Sequence, residues 1–241
     1  FDPQSADGFL LNLFCCKPDR AARLAADNWL VLAAPPPSED VVLNDAETQR
    51  YGWRQSLATL PYGRNITDRW EATMATPDAC KPLEEALALH TLSHDVSVPA
   101  TVRFAALQAS FQKLWGLCLQ DATHLRLISF ARVATEFGAR QIAVEALGQQ
   151  LRALFKSMDV DLAEPFLPAY RRFDDLPPEE HYGNWVVGGT LEALERIEYY
   201  SSFYKLSTQA ERLHLILELG FGSEEMERRL DLTRRRFKTG E

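Results

Sequence analysis

The sequence predicts an all-α fold, either a multi-helix bundle or an irregular helical stack, with a loop-rich N-terminal third. From residue 98 onward, apolar residues recur at steps of three and four, the spacing of one face of an α-helix. Prolines and glycines separate these runs and mark the turns between helices. Capping residues precede several runs, as in Thr208-Gln209-Ala210-Glu211, which fits a capping box.

Residues 1–97 are predicted to be a loop-rich, partly helical segment. Two short helices are expected, near residues 20–28 and 46–58, and the second is entered through the capping pair Asn44-Asp45. Three tryptophans are expected to need burial, so this segment is interpreted as packed structure: Trp29, Trp53 and Trp70.

Residues 98–158 are predicted to form a core of three helices. An apolar stripe on the first of them comprises Phe104, Leu107, Phe111, Leu114, Trp115 and Cys118. Residues 159–184 contain four prolines and four aromatic residues and are predicted to be a linker or an ordered loop. Helices resume over residues 185–241, and the whole chain is expected to form one compact unit.

Composition limits the partners that the chain can have. A net charge of −8 and a pI near 5.2 disfavour binding to polyanions, so nucleic acid is not an expected partner. No apolar run approaches the length of about 20 residues that spans a bilayer, so no membrane insertion is expected. The first residue is Phe1 instead of methionine, which indicates a processed product or a piece of a larger polypeptide.

The cysteines indicate a reducing compartment. None of the four falls in a C-x-x-C pair, and the expected state is reduced thiols in the cytoplasm. They are Cys15, Cys16, Cys80 and Cys118.

One pair of histidines has a spacing that could hold a metal. His90 and His94 lie four residues apart, so a helix would project both imidazoles from one face, as Zn²⁺ sites require. A third ligand would still be needed, and the alternative interpretation is a pair of solvated histidines at a helix end. No catalytic residue and no cofactor are assigned.

The C-terminal segment has two interpretations. One is a helix-turn-helix with a first helix at residues 223–229, a turn at Asp231-Leu232 and a recognition helix at residues 233–238. Its sequence is similar to that of bacterial regulators whose motif runs Ser-x-x-x-Ile-Ala-x-x-Leu-Gly-Leu-Ser, although Glu227 and Asp231 replace a small residue and the turn glycine. The DNA-binding residues would then be Arg234, Arg235, Arg236 and Lys238.

The other interpretation, which the spacing favours, is a single amphipathic helix. Its apolar stripe would comprise Met226, Leu230, Thr233 and Phe237. The charged residues between them would then form a solvated face.

Residues 165–238 resemble a helical region of large bacterial polypeptides that carry glycosyltransferase or FkbM-type methyltransferase domains. The resemblance rests on Pro165-Phe166-Leu167-Pro168, Arg172-Phe173-Asp174, Trp185, Leu191-Glu192, Glu195 and Ser201-Ser202-Phe203-Tyr204. It implies a helical module that accompanies transferase domains without holding their active site.

Three functions follow from these observations. The preferred one is an accessory or interaction module, with a protein partner or a covalently linked domain. The candidate contact residues are Arg171, Arg172, Tyr182, Trp185 and Tyr204. The alternatives are a DNA-binding regulator and an all-helical enzyme whose pocket the sequence does not reveal.

Overall fold

The computed structural model describes residues 16–33, 41–75, 77–157, 160–178, 181–198 and 207–238. Every regular element in these ranges is helical, which confirms the predicted all-α class. The described chain divides into two compact units. The N-terminal unit holds the described residues up to Arg126 together with Leu162–Phe166, and the C-terminal unit holds Leu127–Asp161 and the chain from Leu167 onward.

The N-terminal unit is more helical than the sequence predicts. Its helices are α1 (Pro18–Ala26), α2 (Asp45–Tyr51), α3 (Trp53–Ser56), α4 (Thr67–Met74), α5 (Pro77–Ser93) and α6 (Ala100–Gln120). The single helix predicted over residues 46–58 is split into α2 and α3, because Gly52 adopts an extended conformation with ψ of 162°. The prediction also missed α5, since this helix is buried on most sides along 86–90 and therefore lacks amphipathic periodicity.

Close packing of α5 against α6 forms the centre of this unit. Ala88 and Leu89 of α5 join Ala106 of α6 in one buried cluster, and the Ser110 hydroxyl donates a hydrogen bond to the Ala86 carbonyl oxygen at 2.8 Å. Small side chains at these positions allow the two helices to approach each other closely.

The buried face of α6 differs from the predicted one. The buried residues are Ala106, Ser110, Leu114 and Leu117. Of the predicted stripe only Leu114 is buried, while Phe104, Leu107 and Phe111 are half-buried and Trp115 is exposed. The prediction was wrong by about 100° around the helix axis, one residue step, because it ranked positions by hydrophobicity and the contact selects small residues.

An aromatic cluster closes the other side of the N-terminal unit. The rings of Trp53, Tyr62, Trp70 and Phe166 are all fully buried, with neighbouring centroids 5.3–6.1 Å apart. The Tyr62 hydroxyl donates to the Phe166 carbonyl oxygen at 2.6 Å. The predicted burial of Trp53 and Trp70 is confirmed, but Trp29 is 80% exposed.

The C-terminal unit is organised around one buried helix. Its elements are α7 (His124–Phe137, apart from its first three residues), α8 (Arg140–Ser157), a 3₁₀ turn (Arg171–Asp174), α9 (Tyr182–Ile197), α10 (Ser207–Glu218) and α11 (Glu224–Lys238). Helix α9 contacts both α8 and α10, and nearly all of its residues from Trp185 onward are buried.

Two adjacent glycines let aromatic rings lie against α9. A Cβ built on Gly188 would be 2.7 Å from the ring of Phe221, and one on Gly189 would be 3.3 Å from the ring of Phe173. The two rings also contact each other, with centroids 5.5 Å apart. These glycines are therefore required by packing, since neither has a positive φ.

We expect Gly188→Ala to lower the melting temperature in thermal denaturation, because the added methyl group collides with Phe221, and overpacking of this kind costs about 1–3 kcal/mol. The matched control is Gly148→Ala on α8, where the nearest atom is Nη1 of Arg152 at 3.6 Å. That variant should gain about 0.5–1 kcal/mol from helix propensity. Equal shifts in the two variants would contradict the packing role of Gly188.

Candidate functional site

Two fully buried carboxylates lie on α9. The side chains of Glu192 and Glu195 are 0% exposed. Glu192 accepts hydrogen bonds from Nε and Nη2 of Arg172 at 2.9 and 2.6 Å and from Nε of Arg196 at 3.1 Å. Glu195 accepts from both terminal nitrogens of Arg229, one of them at 2.9 Å. Each buried negative charge is thus matched by at least one guanidinium, as a buried ion requires.

The arginines of this network also bind other parts of the unit. Arg172 donates to the Phe221 carbonyl oxygen, and Arg196 pairs with Glu225 of α11 at 3.3 Å. The Arg196 guanidinium lies 4.8 Å from the centroid of the Tyr170 ring. Burial by itself lowers the pKa of Arg196. Its neighbours Tyr170, Glu192 and Glu225 raise the pKa by more than burial lowers it, so the net shift is upward and the side chain stays charged. The network joins the 3₁₀ turn, α9 and α11 as an internal crosslink.

A buried cation, Arg132, joins α7 to the segment that follows α8. Arg132 is 6% exposed and donates to Glu136 at 2.5 Å, to Asp174 at 3.0 Å and to the Pro168 carbonyl oxygen at 3.2 Å. Burial alone lowers the pKa of Arg132, but Asp174 and Glu136 outweigh this effect and raise it. This cluster is also satisfied within its own unit.

The structure places the predicted contact residues of the proline- and aromatic-rich segment in different environments. Trp185 is 1% exposed and donates its indole N–H to the Leu176 carbonyl oxygen at 2.8 Å, so it belongs to the core. Arg172 is held in the ion-pair network. Arg171 is exposed and Tyr182 is half-buried, while Tyr204 lies outside the described residues. A partner could therefore reach Arg171 and part of Tyr182 in this set.

The two candidate metal-binding histidines are close neighbours. Their ring centroids are 4.5 Å apart, and His90 is 7% exposed, whereas His94 is exposed. Nδ1 of His94 lies 2.9 Å from the His90 carbonyl oxygen and 3.0 Å from the Ser93 hydroxyl. The helical spacing thus brings the imidazoles together as predicted, and the metal site itself stays a prediction.

The C-terminal segment forms one continuous helix, α11. Met226, Leu230 and Thr233 are 0–4% exposed, which confirms the predicted stripe at these three positions. The turn that the helix-turn-helix interpretation requires at Asp231-Leu232 is not formed, because both residues continue the helix. Of the candidate DNA-binding residues, Arg234 and Arg235 are exposed, and the side chains of Arg236 and Lys238 lie outside the described part of the chain.

An uncharged surface that the sequence analysis did not predict lies on α6. All six exposed positions of this 21-residue helix are uncharged. We call them the outer face of α6: Thr101, Val102, Gln112, Trp115, Leu119 and Gln120. The face includes large apolar side chains, since Trp115 is 40% exposed and Leu119 is 70% exposed. Counting charged residues along residues 100–120 could have found it.

The two charged residues of α6 lie beside this face and contact other residues of the same unit. Lys113 pairs with Glu85 of α5 at 2.8 Å, and Arg103 donates to the Asn28 carbonyl oxygen at 2.9 Å. Between Gln112 and Gln120, the exposed side is uncharged and contains Gly116, where a Cβ would have no atom within 4 Å. Aromatic enrichment with depletion of charge is typical of the centre of a protein interface.

Grooves occur on both units. One on the N-terminal unit, about 280 Å³, is lined by Val41, Leu43, Leu89 and the Lys113–Glu85 pair, among others. One on the C-terminal unit, about 450 Å³, is lined by apolar residues that include Val144 and Leu194 and by charged residues that include Arg152 and the Arg212–Glu198 pair.

No protein-family model matches this chain, and neither a curated protein nor a solved structure matches it. Across the part of the chain that the structure describes, no helix combines the length and the apolar character needed to cross a bilayer.

We expect Glu192→Gln to destabilise the C-terminal unit by about 3–5 kcal/mol, because it leaves Arg172 and Arg196 facing each other without the buried negative charge. Urea denaturation measures this loss. The matched control is Glu71→Gln, which removes a carboxylate from a pair with Arg54 in which both side chains are 45–48% exposed, and which should cost less than about 1 kcal/mol. Similar losses in both variants would contradict the burial of Glu192 and its role in neutralising the two arginines.

We expect the Cys118 thiol to be chemically inert. Burial raises its pKa to about 12, so at pH 8 only about one molecule in 10⁴ carries the reactive thiolate, and the fraction grows only as the pH rises towards that pKa. Alkylation by iodoacetamide, followed by peptide mass spectrometry, should be at least about 100-fold slower at Cys118 than at the exposed Cys16. The difference should vanish in urea, and equal native rates would contradict the account.

Proposed function

We propose that this chain is a helical interaction module that binds a protein partner through the outer face of α6. The observation that carries the proposal is that the longest described helix exposes six uncharged positions, among them Trp115 and Leu119. On a chain in which 25% of residues are charged, a solvated helix face of this length would ordinarily carry charged side chains.

The chemistry of this face suits a contact with another protein surface. Full burial of an exposed leucine side chain stabilises a contact by roughly 1.5–3 kcal/mol, and tryptophan is among the residues that most often dominate binding energy. Gln112 and Gln120 border the apolar pair and can form hydrogen bonds without the cost of burying a charge.

Contacts within the N-terminal unit hold α6, and therefore its outer face, in a fixed orientation. The contact between α5 and α6 fixes the rotation of α6, and the Lys113–Glu85 and Arg103–Asn28 contacts hold it on two sides. A surface that is already ordered loses little conformational entropy when it binds, so more of the contact energy appears as affinity.

The setting of the module belongs to the same proposal. The resemblance of residues 165–238 supports a place in a bacterial multidomain protein beside glycosyltransferase or FkbM-type methyltransferase domains, one of which would be a covalently linked partner. Three free thiols among the described residues support a cytoplasmic setting, where thiols stay reduced: Cys16, Cys80 and Cys118.

The test is a photo-crosslinking amino acid placed at Leu119 in the cells that produce the protein. We expect discrete crosslinks, mapped by mass spectrometry to one partner surface, because Leu119 is the most exposed large apolar side chain of the proposed contact. The control is the same substitution at Leu32, which is 64% exposed and lies off α6. Crosslinks that are absent at 119, or equally frequent and diffuse at both positions, would overturn the proposed function.

A further inference from the structure

Two glutamines of the outer face of α6 are arranged symmetrically about Gly116, which lies between them. Gln112, Gly116 and Gln120 are spaced by four and therefore lie in one line along the helix. If two copies of this line run antiparallel about a two-fold axis at Gly116, Gln112 of each chain lies opposite Gln120 of the other. The two Gly116 backbones then meet at the axis.

The side chains in this register are chemically self-complementary. A glutamine amide has both a donor and an acceptor, so two amides can pair with each other. Two lysines or two glutamates in the same places would repel. A two-fold axis always brings the same surface patch of both subunits together, so it favours a face of this kind.

The shape of the face is also self-complementary. A Cβ at Gly116 would meet no atom within 4 Å, so the helix leaves space where a second helix can approach its backbone. Glycine lowers the stability of a helix interior relative to alanine, and neither a positive φ nor a neighbouring side chain requires it here. Trp115 and Leu119 lie beside this space on one side of the line, and the two-fold axis brings these residues of both chains to the same side of the contact.

The absence of charge on the outer face of α6 also favours pairing between two copies. Each chain carries a net charge of −8, so two copies repel each other at long range. The uncharged outer face adds no local repulsion to this, and Lys113, which is as close to Gly116 along the helix as Leu119 is, has its charge matched by Glu85. A partner chosen by charge complementarity would find no charge on the outer face itself.

From these observations, we infer that the partner of the outer face of α6 is a second copy of this chain, paired antiparallel about Gly116. This inference rests on the proposed function and names its partner. A contact made by one helix from each copy is smaller than the interfaces of stable complexes, so the dimer is weak, with a Kd of about 10–100 µM.

Sedimentation velocity of the full chain tests this, over about 10–300 µM protein at about 50 and 500 mM NaCl. We expect concentration-dependent dimerisation that strengthens at high salt, because salt screens the repulsion between the two negative chains. Leu119→Glu, which places two charges at the contact, should weaken dimerisation by about tenfold or more. Gly116→Leu, which fills the space at the axis, should do the same.

The control is Leu32→Glu, a similar change at an exposed leucine outside α6, which should leave dimerisation unchanged. Circular dichroism and melting temperature establish that each variant is folded, as the exposure of Leu119 and the open space at Gly116 lead us to expect. A chain that stays monomeric at every concentration, or a dimer that Leu119→Glu does not weaken, would overturn the self-pairing. Neither result would affect the proposed function, whose crosslinks from position 119 would then identify a different protein.

The register has its own test, in chains whose native cysteines are changed to serine. An equal mixture of Gln112→Cys and Gln120→Cys chains should form a disulfide-linked heterodimer on mild oxidation, while either chain alone should form much less. Equal crosslinking in all three samples would rule out the antiparallel register about Gly116.

Discussion

Close packing of α5 against α6 determines which side of α6 faces solvent. Small side chains at the contact, with a hydrogen bond from Ser110 to the Ala86 carbonyl oxygen, allow the two helices to approach. This contact turns Leu114 and Leu117 inward, and it turns Trp115 and Leu119 towards solvent on the opposite side. The outer face of α6 is therefore a consequence of helix packing, and larger residues at Ala106 or Ser110 would change its direction.

The C-terminal unit depends on a different constraint, which is charge neutralisation inside a core. Glu192 and Glu195 are buried because α9 is surrounded by other elements, and the guanidiniums of Arg172, Arg196 and Arg229 reach them from the 3₁₀ turn, from α9 and from α11. Such networks contribute less to net stability than apolar packing of the same volume, but they allow few alternative arrangements of the elements they join. They also occupy arginines that would otherwise be available to a partner.

Features that depend on the periodicity of one helix were predicted correctly from the sequence. Features that depend on packing between elements were not. The stripe Met226, Leu230, Thr233 follows from helical periodicity alone and was predicted correctly. The buried face of α6 was predicted about 100° away, because hydrophobicity ranks Phe111 above Ser110, whereas close helix contact favours the smaller residue. Nothing in the spacing of Glu192 or Glu195 distinguishes a buried carboxylate from a solvated one, because their arginines are brought to them by the tertiary fold.

The proposed role of α6 requires Trp115 to lie on a solvent-facing surface that binds another protein surface. ¹⁹F NMR of the chain labelled with 5-fluorotryptophan tests it directly, because the five tryptophans give separate signals and a Trp115→Phe variant assigns the one of interest. In dilute protein, the account predicts a solvent isotope shift between H₂O and D₂O for Trp115 and Trp29 and none for the buried tryptophans. It also predicts that the Trp115 signal moves as protein concentration rises. A Trp115 signal that is insensitive to solvent in dilute protein would show that the chain itself covers this face, and would contradict the account.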